Sequence, residues 1–282
     1  MSIPPTIPKV TVIIPAFNES KDVLALSLGS VVSQTFNDFE CLVIDESTDP
    51  ASATSCRDLC ALDKRFRYMH PETRLGLAAS LNLGISLAQG ELIARFDSDD
   101  ICMPNRLALQ VTYMTAHPDI DVVGGGLEII SEAGKTLAFR DYPEDHAAIE
   151  RRFQTTTSIA HPTVMVRKHI FDQHGGYDPS FRFAEDLDLW LRLLNRGVRF
   201  ANLNEVLVRY RQQNTRRNHI HWRFNLRART RNFSMRELPM RLVGICALAV
   251  WGSLPAGVQE RVVYGLLLRR NKPISFGTLD DH

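Results

Sequence analysis

The chain has 282 residues, of which 44% are hydrophobic and 23% are charged, and its formal net charge at pH 7 is +1. These values are typical of an ordinary soluble globular protein with enough residues for one large domain or two small ones. Because the charges nearly balance, the composition as a whole gives no reason to expect nucleic acid as a partner.

The first hundred residues predict an alternation of strands and helices. Four short apolar runs are typical of buried strands, namely KVTVIIPAF (9–17), FECLVID (39–45), FRYMH (66–70) and ELIARFD (91–97). Three helices are predicted between them: one capped by Ser20, one ending near Asp63, and one closed by Gly90. The apolar stripe of the first helix comprises Val23, Leu24, Leu28, Val31 and Val32. This order predicts a parallel sheet with helices on both faces.

After Asp100 the pattern changes. A helix that begins near Pro104 precedes two paired strands, 121–130 and 135–139. The glycines at 124–126 do not open a helix, so a dinucleotide-binding fingerprint is absent, and we expect a tight strand bend. A further strand, HPTVMVR, precedes the helix AEDLDLWLRLLNRG. Four side chains of this helix are expected to face the core: Leu187, Trp190, Leu191 and Leu194.

Residues 209–241 form a strongly basic segment with ten arginines and a single acid, Glu237. The apolar residues that follow, LVGICALAVWGSLPAGV, are too interrupted to span a membrane as a helix. Two interpretations are open: the segment lies on an anionic membrane surface, or it is a helical subdomain whose arginines are solvated or bind phosphate. We divide the chain into residues 1–210, with halves 1–100 and 101–210, and a basic, mostly helical extension, 211–282.

The N-terminal sequence and the cysteines indicate the compartment. The residues MSIPPTIPKV lack the charged-then-apolar pattern of a signal peptide, and the five cysteines lack the spacing of a disulfide framework. We therefore expect free thiols and a cytoplasmic protein. If the basic segment binds membrane, the protein would lie peripherally on the cytoplasmic face of the inner membrane.

Polar residues follow three of the four predicted parallel strands. Residues 15–19 follow the first strand, Asp45 ends the second, and residues 97–100 end the fourth. Ligands of such sheets bind at the carboxyl ends of the strands. Three polar clusters that are distant in sequence are therefore expected to meet in one crevice.

Asp97 and Asp99 form an Asp-x-Asp pair, whose side chains project from the same face of an extended chain. Two close carboxylates repel each other unless a cation or water offsets their charge. The pair suits Mg²⁺ or Mn²⁺, which proteins hold with one or two carboxylates together with substrate phosphates. Such an ion stabilises a departing diphosphate. The alternative is a solvated turn, and the convergence of the three polar clusters weighs against it.

Five blocks of the sequence resemble family 2 glycosyltransferases and occur in the order of that family: VTVIIPAFNES, VIDESTD, RLGLAASLNLGISLAQGELIARFDSDD, HPTVMVR and GGYDPSFRFAEDLDLWLRL. The resemblance covers roughly residues 8–211. It implies a GT-A fold, which is a Rossmann-like α/β fold with a mostly parallel sheet flanked by helices. It also implies a nucleotide-sugar donor, and transfer of the sugar with inversion at the anomeric carbon. Together with the basic segment, it suggests a saccharide or lipid-linked saccharide acceptor in bacterial cell-surface polysaccharide assembly.

The resemblance implies a set of donor-binding residues. Asp45 stands where the family has a carboxylate that hydrogen-bonds the uracil edge of the donor, although here Ile44 and Glu46 replace the usual acid and glycine. Arg74 and Asn82 match positions that line the donor pocket, and the alternative is an ordinary surface arginine and helix asparagine. The full set is Pro15, Ala16, Phe17, Asn18, Glu19, Asp45, Arg74, Asn82, Asp97, Ser98 and Arg211.

The resemblance also divides the roles at the end of the fourth strand. Asp97 would bind the ribose or lie near the metal ion, and Asp99 would bind the metal ion itself. Asp100 would cap the next turn. The YRQQ block matches a family segment that often ends in histidine, but Gln213 stands at that position. We therefore do not expect a metal ligand there, while Arg211 could pair with the diphosphate.

The Glu185-Asp186 pair matches the acidic pair of the family, with Asp186 in the place of the general base. Inverting transfer in one step needs a carboxylate beside the acceptor hydroxyl, opposite the leaving diphosphate. The alternative is an acidic first turn that the helix dipole favours. Asp188 would face away from Asp186 and serve the structure. His161 matches a block near the acceptor, and a buried, hydrogen-bonded histidine is the alternative.

Three other functions are less consistent with the sequence. A nucleotidyltransferase should have a glycine-rich phosphate loop after the first strand, where this chain has IPAFNES. A non-catalytic membrane-surface scaffold with a vestigial site should have lost the Asp-x-Asp or the Glu-Asp pair. A nucleic-acid-binding protein would leave the strand-end carboxylates unexplained. We therefore predict a metal-dependent glycosyltransferase of the hexosyltransferase type. It uses a nucleotide-sugar donor and does not bind nucleic acid.

Overall fold

The computed structural model describes residues 7–212 and 219–254, and the elements below lie within these ranges. The strands are β1 Val10–Ala16, β2 Phe39–Asp45, β3 Phe66–Met69, β4 Leu92–Arg95, β5 Ile101–Cys102, β6 Val122–Ile130, β7 Thr136–Arg140, β8 Met165–Arg167 and β9 Phe200–Arg211. The helices are α1 Lys21–Val32, α2 Pro50–Cys60, α3 Leu77–Leu87, α4 Arg106–Ala116, α5 His146–Phe153, α6 Lys168–His174, α7 Glu185–Asn195, α8 His219–Arg231 and α9 Leu238–Ser253. A short 3-10 turn, His161–Thr163, precedes β8.

The described strands form one nine-stranded sheet in the order β3-β2-β1-β4-β8-β6-β9-β5, with β7 paired to β6. The strands β1 to β4 pair in parallel, as their alternation with helices predicts. Strand β8 lies antiparallel between β4 and β6, whereas β6 and β9 are parallel. The predicted mostly parallel α/β sheet is therefore confirmed, and the carboxyl ends of β1, β2 and β4 lie side by side.

Two apolar clusters hold helices on the two faces of the sheet. Successive residues of β1 point to opposite faces, so Val12 and Ile14 pack in one cluster and Ile13 packs in the other. Helices α1, α2 and α4 contribute to the first cluster, and α3 and α7 contribute to the second. All four α7 side chains predicted to face the core are buried. The predicted stripe of α1 is wrong at its end, because Val32 is 39% exposed.

The glycine that follows α3 and the glycines of β6 lie in different structural surroundings. Helix α3 ends with Ala88 as its C-cap, so the prediction that Gly90 caps it is wrong. A Cβ atom at Gly90 would lie 2.6 Å from the backbone nitrogen of Thr11, and the close approach of this loop to β1 therefore requires glycine. The glycines at 124–126 lie inside β6, and its register with β9 shifts on both sides of Gly126.

Buried arginines hold the C-terminal helices against the rest of the protein. Ala228 of α8 lies in the same apolar cluster as α7. Arg229 donates hydrogen bonds to the carbonyl oxygens of Phe153 and Gln154, and Arg241 of α9 donates to the carbonyl oxygen of Asn232. These two guanidinium groups dock the helices. Arg229 and Arg241 are therefore neither solvated nor free to bind phosphate or a membrane, whereas Arg223, Arg227, Arg231 and Arg236 are exposed, and the two interpretations of the segment stay open for them.

Some predictions about the C-terminal segment stay open. The proposed boundary at residue 210 falls at the end of β9, and the division into separate units stays a prediction. Gln213 and residues 255–282 lie outside the described residues. In the part of the chain that the structure describes, no helix is both long enough and apolar enough to cross a membrane.

Candidate active site

A crevice opens at the carboxyl ends of β1, β2 and β4, as the sequence predicts. Eight of the predicted site residues line it together: Pro15, Ala16, Phe17, Glu19, Arg74, Asp97, Ser98 and Asp99. Three further residues complete the lining, namely Glu46, Gly76 and Leu77. The polar clusters after β1 and β4 therefore meet in one place, and the end of β2 contributes Glu46 rather than the predicted Asp45 to the lining.

One wall of the crevice is a stacked pair. The guanidinium carbon of Arg74 lies 3.9 Å from the centroid of the Phe17 ring, which is a cation–π distance. Phe17 follows β1, and Arg74 precedes the N-terminus of α3. The pair therefore joins two elements that the crevice separates, and it presents a flat surface to a ligand.

Asn18 and Asp45 lie next to the crevice, but their polar atoms bind the protein. The Asn18 Oδ1 atom accepts hydrogen bonds from the backbone nitrogens of Thr48 and Asp49, at 2.9 and 3.0 Å. Asn18 has a positive φ of 55°, which asparagine tolerates better than most residues. The buried Asp45 carboxylate accepts from the backbone nitrogen of Ser47 and from the hydroxyl of Tyr68, both at 2.9 Å.

Asn82 and Arg211 connect distant segments. Both polar atoms of the Asn82 side chain pair with the backbone of Tyr177, each at 2.8 Å. Arg211 is buried at the end of β9, and its Nε atom donates to the carbonyl oxygen of Asp99 at 2.8 Å. Neither side chain lines the crevice as described. Their positions support roles in holding the site together rather than in touching the donor.

The acids after β4 have three different environments. Asp97 forms a two-pronged ion pair with the buried Arg95, and Asp99 lines the crevice. Asp100 is fully buried, and it accepts a 2.7 Å hydrogen bond from the backbone nitrogen of Arg211. The prediction that Asp100 caps the next turn is therefore wrong. Burial, and then the charges of Asp97 and Asp99, raise the pKa of Asp100 well above its usual range.

The charge balance of the crevice fits a divalent cation. Burial, followed by the charge of Asp99, raises the pKa of Glu19 to about 7. A diphosphate that enters this negative field would be repelled unless a cation came with it. Across residues 7–212 and 219–254, no three His, Cys, Asp or Glu side chains form a ready-made metal cage. The ion would therefore be held by Asp99, beside Asp97, together with donor phosphates.

The acidic pair of α7 begins that helix. Ala184, with a left-handed φ of 59°, precedes it. Glu185 is buried, and burial, then the charge of Asp186, raises its pKa to about 8. Asp186 is half-buried, and its Oδ1 atom accepts a 2.7 Å hydrogen bond from the backbone nitrogen of Leu187. Asp188 is buried and accepts from the Nδ2 atom of Asn232, which agrees with its predicted structural role.

His161 is a buried member of an aromatic cluster. Its Nε2 atom lies 2.8 Å from the hydroxyl oxygen of Tyr177, and its ring packs edge-on against Trp190. Burial, and then the charge of Arg95, lowers the pKa of His161 well below its usual value. The ring is therefore neutral, and its position supports the ordinary structural role more than direct contact with an acceptor.

Glu185→Gln should make the protein more stable at pH 8 than the wild type. Between pH 4.5 and about 8 the folded state holds the Glu185 proton and the unfolded state does not, so the stability of the wild type falls as pH rises through this window. Removing the ionisable group removes that loss, which is worth roughly 1–4 kcal/mol at pH 8. Urea denaturation at pH 5 and pH 8 measures the difference in stability between the variant and the wild type.

The control for this prediction is Glu205→Gln, which neutralises an exposed acid. It should leave the stability unchanged at both pH values. A Glu185→Gln variant whose stability relative to the wild type is the same at pH 5 and pH 8 would show that Glu185 ionises normally.

Sequence reasoning missed Glu46, Arg95 and Tyr177. Arg95 holds Asp97, Tyr177 joins Asn82 to His161, and Glu46 lines the crevice. Arg95 and Tyr177 carry no local signal, because each acts through a contact with a residue distant in sequence. Glu46 had a signal, since it replaces a residue that the family pattern has as glycine.

Comparisons with known proteins find a matching family model and related sequences. The model of the glycosyl transferase family 2 matches residues 11–175. The chain is 35% identical over 192 residues to the O-antigen biosynthesis glycosyltransferase WbnJ of Escherichia coli. The aligned region covers 67% of this chain and 74% of WbnJ.

Two solved structures share the fold at low sequence identity. S. aureus TarS 1–349, in complex with UDP-GlcNAc, superimposes with a TM-score of 0.65 at 19% identity, covering 82% of this chain and 69% of TarS. The mannosyltransferase PcManGT of Pyrobaculum calidifontis, in complex with GDP-Man and Mn²⁺, has a TM-score of 0.62 at 17% identity, covering 95% and 82%. These similarities confirm the predicted GT-A fold.

Proposed function

The chain belongs to glycosyl transferase family 2 and is a glycosyltransferase, and on this premise we propose that it transfers a sugar from a nucleotide-sugar donor to a saccharide or lipid-linked saccharide acceptor in cell-surface polysaccharide assembly. The observation that carries the proposal is the crevice. It gathers eight predicted site residues from segments that are far apart in sequence. The Asp-x-Asp pair is part of its lining, and the diphosphate of a donor would leave beside it.

The relatives support the donor and the product class. TarS was solved with UDP-GlcNAc and PcManGT with GDP-Man and Mn²⁺, and WbnJ is named for O-antigen biosynthesis. We propose a UDP-linked sugar for this chain because TarS, which shares its fold, was solved with UDP-GlcNAc. Asp45 stands where the family binds uracil, but its carboxylate is buried against Ser47 and Tyr68. Bound Mg²⁺ or Mn²⁺ would offset the charge that develops on the departing diphosphate.

The side chains of the protein divide the remaining work. Arg95 holds the Asp97 carboxylate in place through two contacts, and the Arg74–Phe17 pair provides a flat wall for the nucleoside. Asp186 would accept the proton of the acceptor hydroxyl, which then attacks the anomeric carbon opposite the diphosphate. This geometry inverts the anomeric configuration in one step.

A screen of nucleotide sugars by thermal stabilisation tests the function. Ligands that bind only the folded state raise the unfolding temperature by mass action. With Mn²⁺ present, at least one UDP-sugar should stabilise the protein more than the free sugar or the nucleoside alone does. If no nucleoside diphosphate sugar stabilises it, and none is consumed in the presence of saccharide acceptors, the proposal fails.

We also propose that helix α9 rests on an anionic membrane surface. Three of its apolar side chains are well exposed, Leu242 at 47%, Val243 at 57% and Val250 at 62%. A helix with an exposed apolar face can bind at the membrane interface through that face, with help from nearby basic residues. Helix α8 contributes buried residues to the core, so truncation before it would expose apolar surface and is not a clean test.

The double variant Val243→Glu, Val250→Glu should therefore lose most of the binding of the wild type to anionic lipid vesicles. Two carboxylates on the exposed face add desolvation and charge repulsion. Binding of the wild type should also weaken with salt, because exposed charges are screened beyond roughly 10 Å at ~0.1 M. Vesicle cosedimentation measures both effects.

Leu62→Glu is the matched control, since Leu62 is 81% exposed in the turn after α2. It should bind vesicles as the wild type does. Equal sedimentation of the wild type and the α9 double variant would contradict the membrane proposal.

A further inference from the structure

Glu46 connects β2 to the first turn of α3. Its backbone nitrogen donates a 2.9 Å hydrogen bond to the carbonyl oxygen of Ala16, at the end of β1. Its Oε2 atom accepts hydrogen bonds from the backbone nitrogens of Leu75 and Gly76, at 2.7 and 2.8 Å. Its Oε1 atom accepts from the hydroxyl of Ser80. The side chain is 8% exposed, so these contacts are largely shielded from water.

Helix α3 needs this external partner. Its N-cap is Gly76, at a φ of +83°, which favours glycine and leaves no side chain to cap the helix. The first turn of α3, as described, contains no acidic residue. The first backbone N–H groups of a helix need acceptors, and a negative charge near them is favourable. Glu46, which follows β2, brings a negative charge close to them and accepts hydrogen bonds from the nitrogens of the N-cap Gly76 and of Leu75 before it.

The segment that Glu46 holds is a wall of the crevice. Arg74 stacks on Phe17, and Gly76 and Leu77 line the same side. The stacked Arg74–Phe17 pair gives this wall a flat surface that suits the base of a nucleoside.

We propose that Glu46 is a positioning residue for the donor, which sets the nucleoside wall by fixing residues 74–77. The inference rests on the proposed function, because it takes the crevice as the nucleotide-sugar site. Glu46 stands where the family pattern has glycine, so this chain departs from the pattern at this position. Glu46 acts through Arg74 and Leu77 and does not touch the reacting atoms.

Three substitutions test it. Glu46→Ala removes all three side-chain contacts, and it should raise the KM for the donor and the Kd for UDP by about ten- to a hundredfold, while kcat changes less than about threefold. Glu46→Gln keeps the shape of the side chain and removes its charge. Its oxygen can accept from Leu75 and Gly76 and its amide can donate to Ser80, so it should stay within about threefold of the wild type. Glu72→Ala removes an exposed acid from the same loop and should have no effect.

Limited trypsin digestion gives a readout that does not need a donor. The bond after Arg74 should be cleaved faster in Glu46→Ala than in the wild type, because the Leu75 nitrogen loses its partner. Glu46→Gln and Glu72→Ala should be cleaved at the wild-type rate. If Glu46→Ala does not fold, Glu46→Asp replaces it, since the shorter side chain cannot reach Leu75 and Ser80 together.

The outcomes are distinguishable. An unchanged UDP affinity in Glu46→Ala would overturn the proposal. It is also overturned if Glu46→Gln loses UDP affinity as severely as Glu46→Ala but is cleaved at the wild-type rate, because Glu46 would then act on the donor by its charge. If the wild type binds neither UDP nor GDP, the proposed function fails, and the trypsin result alone shows whether Glu46 holds the loop.

Discussion

Replacing Asp186 with asparagine is expected to lower kcat by at least about two orders of magnitude, because general-base catalysis typically contributes ~10²–10⁴-fold. A base acts mainly in the transition state, so its removal should leave donor affinity within a few-fold of the wild type. The half-buried side chain accepts a hydrogen bond from the neighbouring Leu187 nitrogen, which asparagine can preserve. Steady-state transfer kinetics and calorimetry with the donor measure the two quantities.

Asp188→Asn is the control on the same helix. Asp188 is buried and binds Asn232, so its replacement should lower stability and leave the transfer rate per folded molecule nearly unchanged. If Asp186→Asn transfers sugar at nearly the wild-type rate, the base lies elsewhere. If it loses donor affinity as strongly as activity, Asp186 belongs to the donor site, and its assignment as a base is wrong.

The parallel half of the fold could be predicted because its signals are local. Each of β1, β2 and β4 is a short apolar run, and each is followed by a helix or a polar turn with recognisable residues. Their order determines that their carboxyl ends meet. The crevice and most of its lining follow from that topology and from the matching sequence blocks.

The position of β8 could not be predicted in this way. A three-residue strand, Met165–Arg167, lies between β4 and β6 in the sheet. Its pairing depends on tertiary contacts, and a short apolar run carries no information about its neighbours. The 3-10 turn that contains His161 belongs to the same region, so the histidine is buried in a place that the motif alone could not show.

The same limit applies to polar residues whose partners are distant. Asn82 matches a donor-site position, but its two hydrogen bonds go to Tyr177, 95 residues further along the chain. The arginines of the C-terminal segment looked like a surface feature, and Arg229 and Arg241 are buried against backbone carbonyls. The number of charges does not show in which direction each arginine side chain points. Packing decides which guanidinium groups face inward.

Replacing Asp99 with asparagine is expected to abolish transfer and to remove the dependence of donor binding on the metal ion. The carboxylate lines the crevice beside Asp97, and asparagine has a similar shape but lacks the charge that a divalent cation needs. Asp99 is not part of the apolar core, so the unfolding temperature should stay close to that of the wild type. Asp119→Asn, which removes an exposed acid paired with Arg199, should behave as the wild type.

Calorimetric titration of the donor selected by the nucleotide-sugar screen tests the central claim most directly, namely that this crevice is the metal-assisted donor site. The wild type should bind the donor at least about tenfold more tightly with Mn²⁺ than with a chelator, a difference of about 1.4 kcal/mol. Asp99→Asn should bind it equally weakly in both conditions. If Asp99→Asn keeps the tighter binding in Mn²⁺, or if the wild type binds the donor equally in both conditions, the crevice is not a metal-assisted donor site.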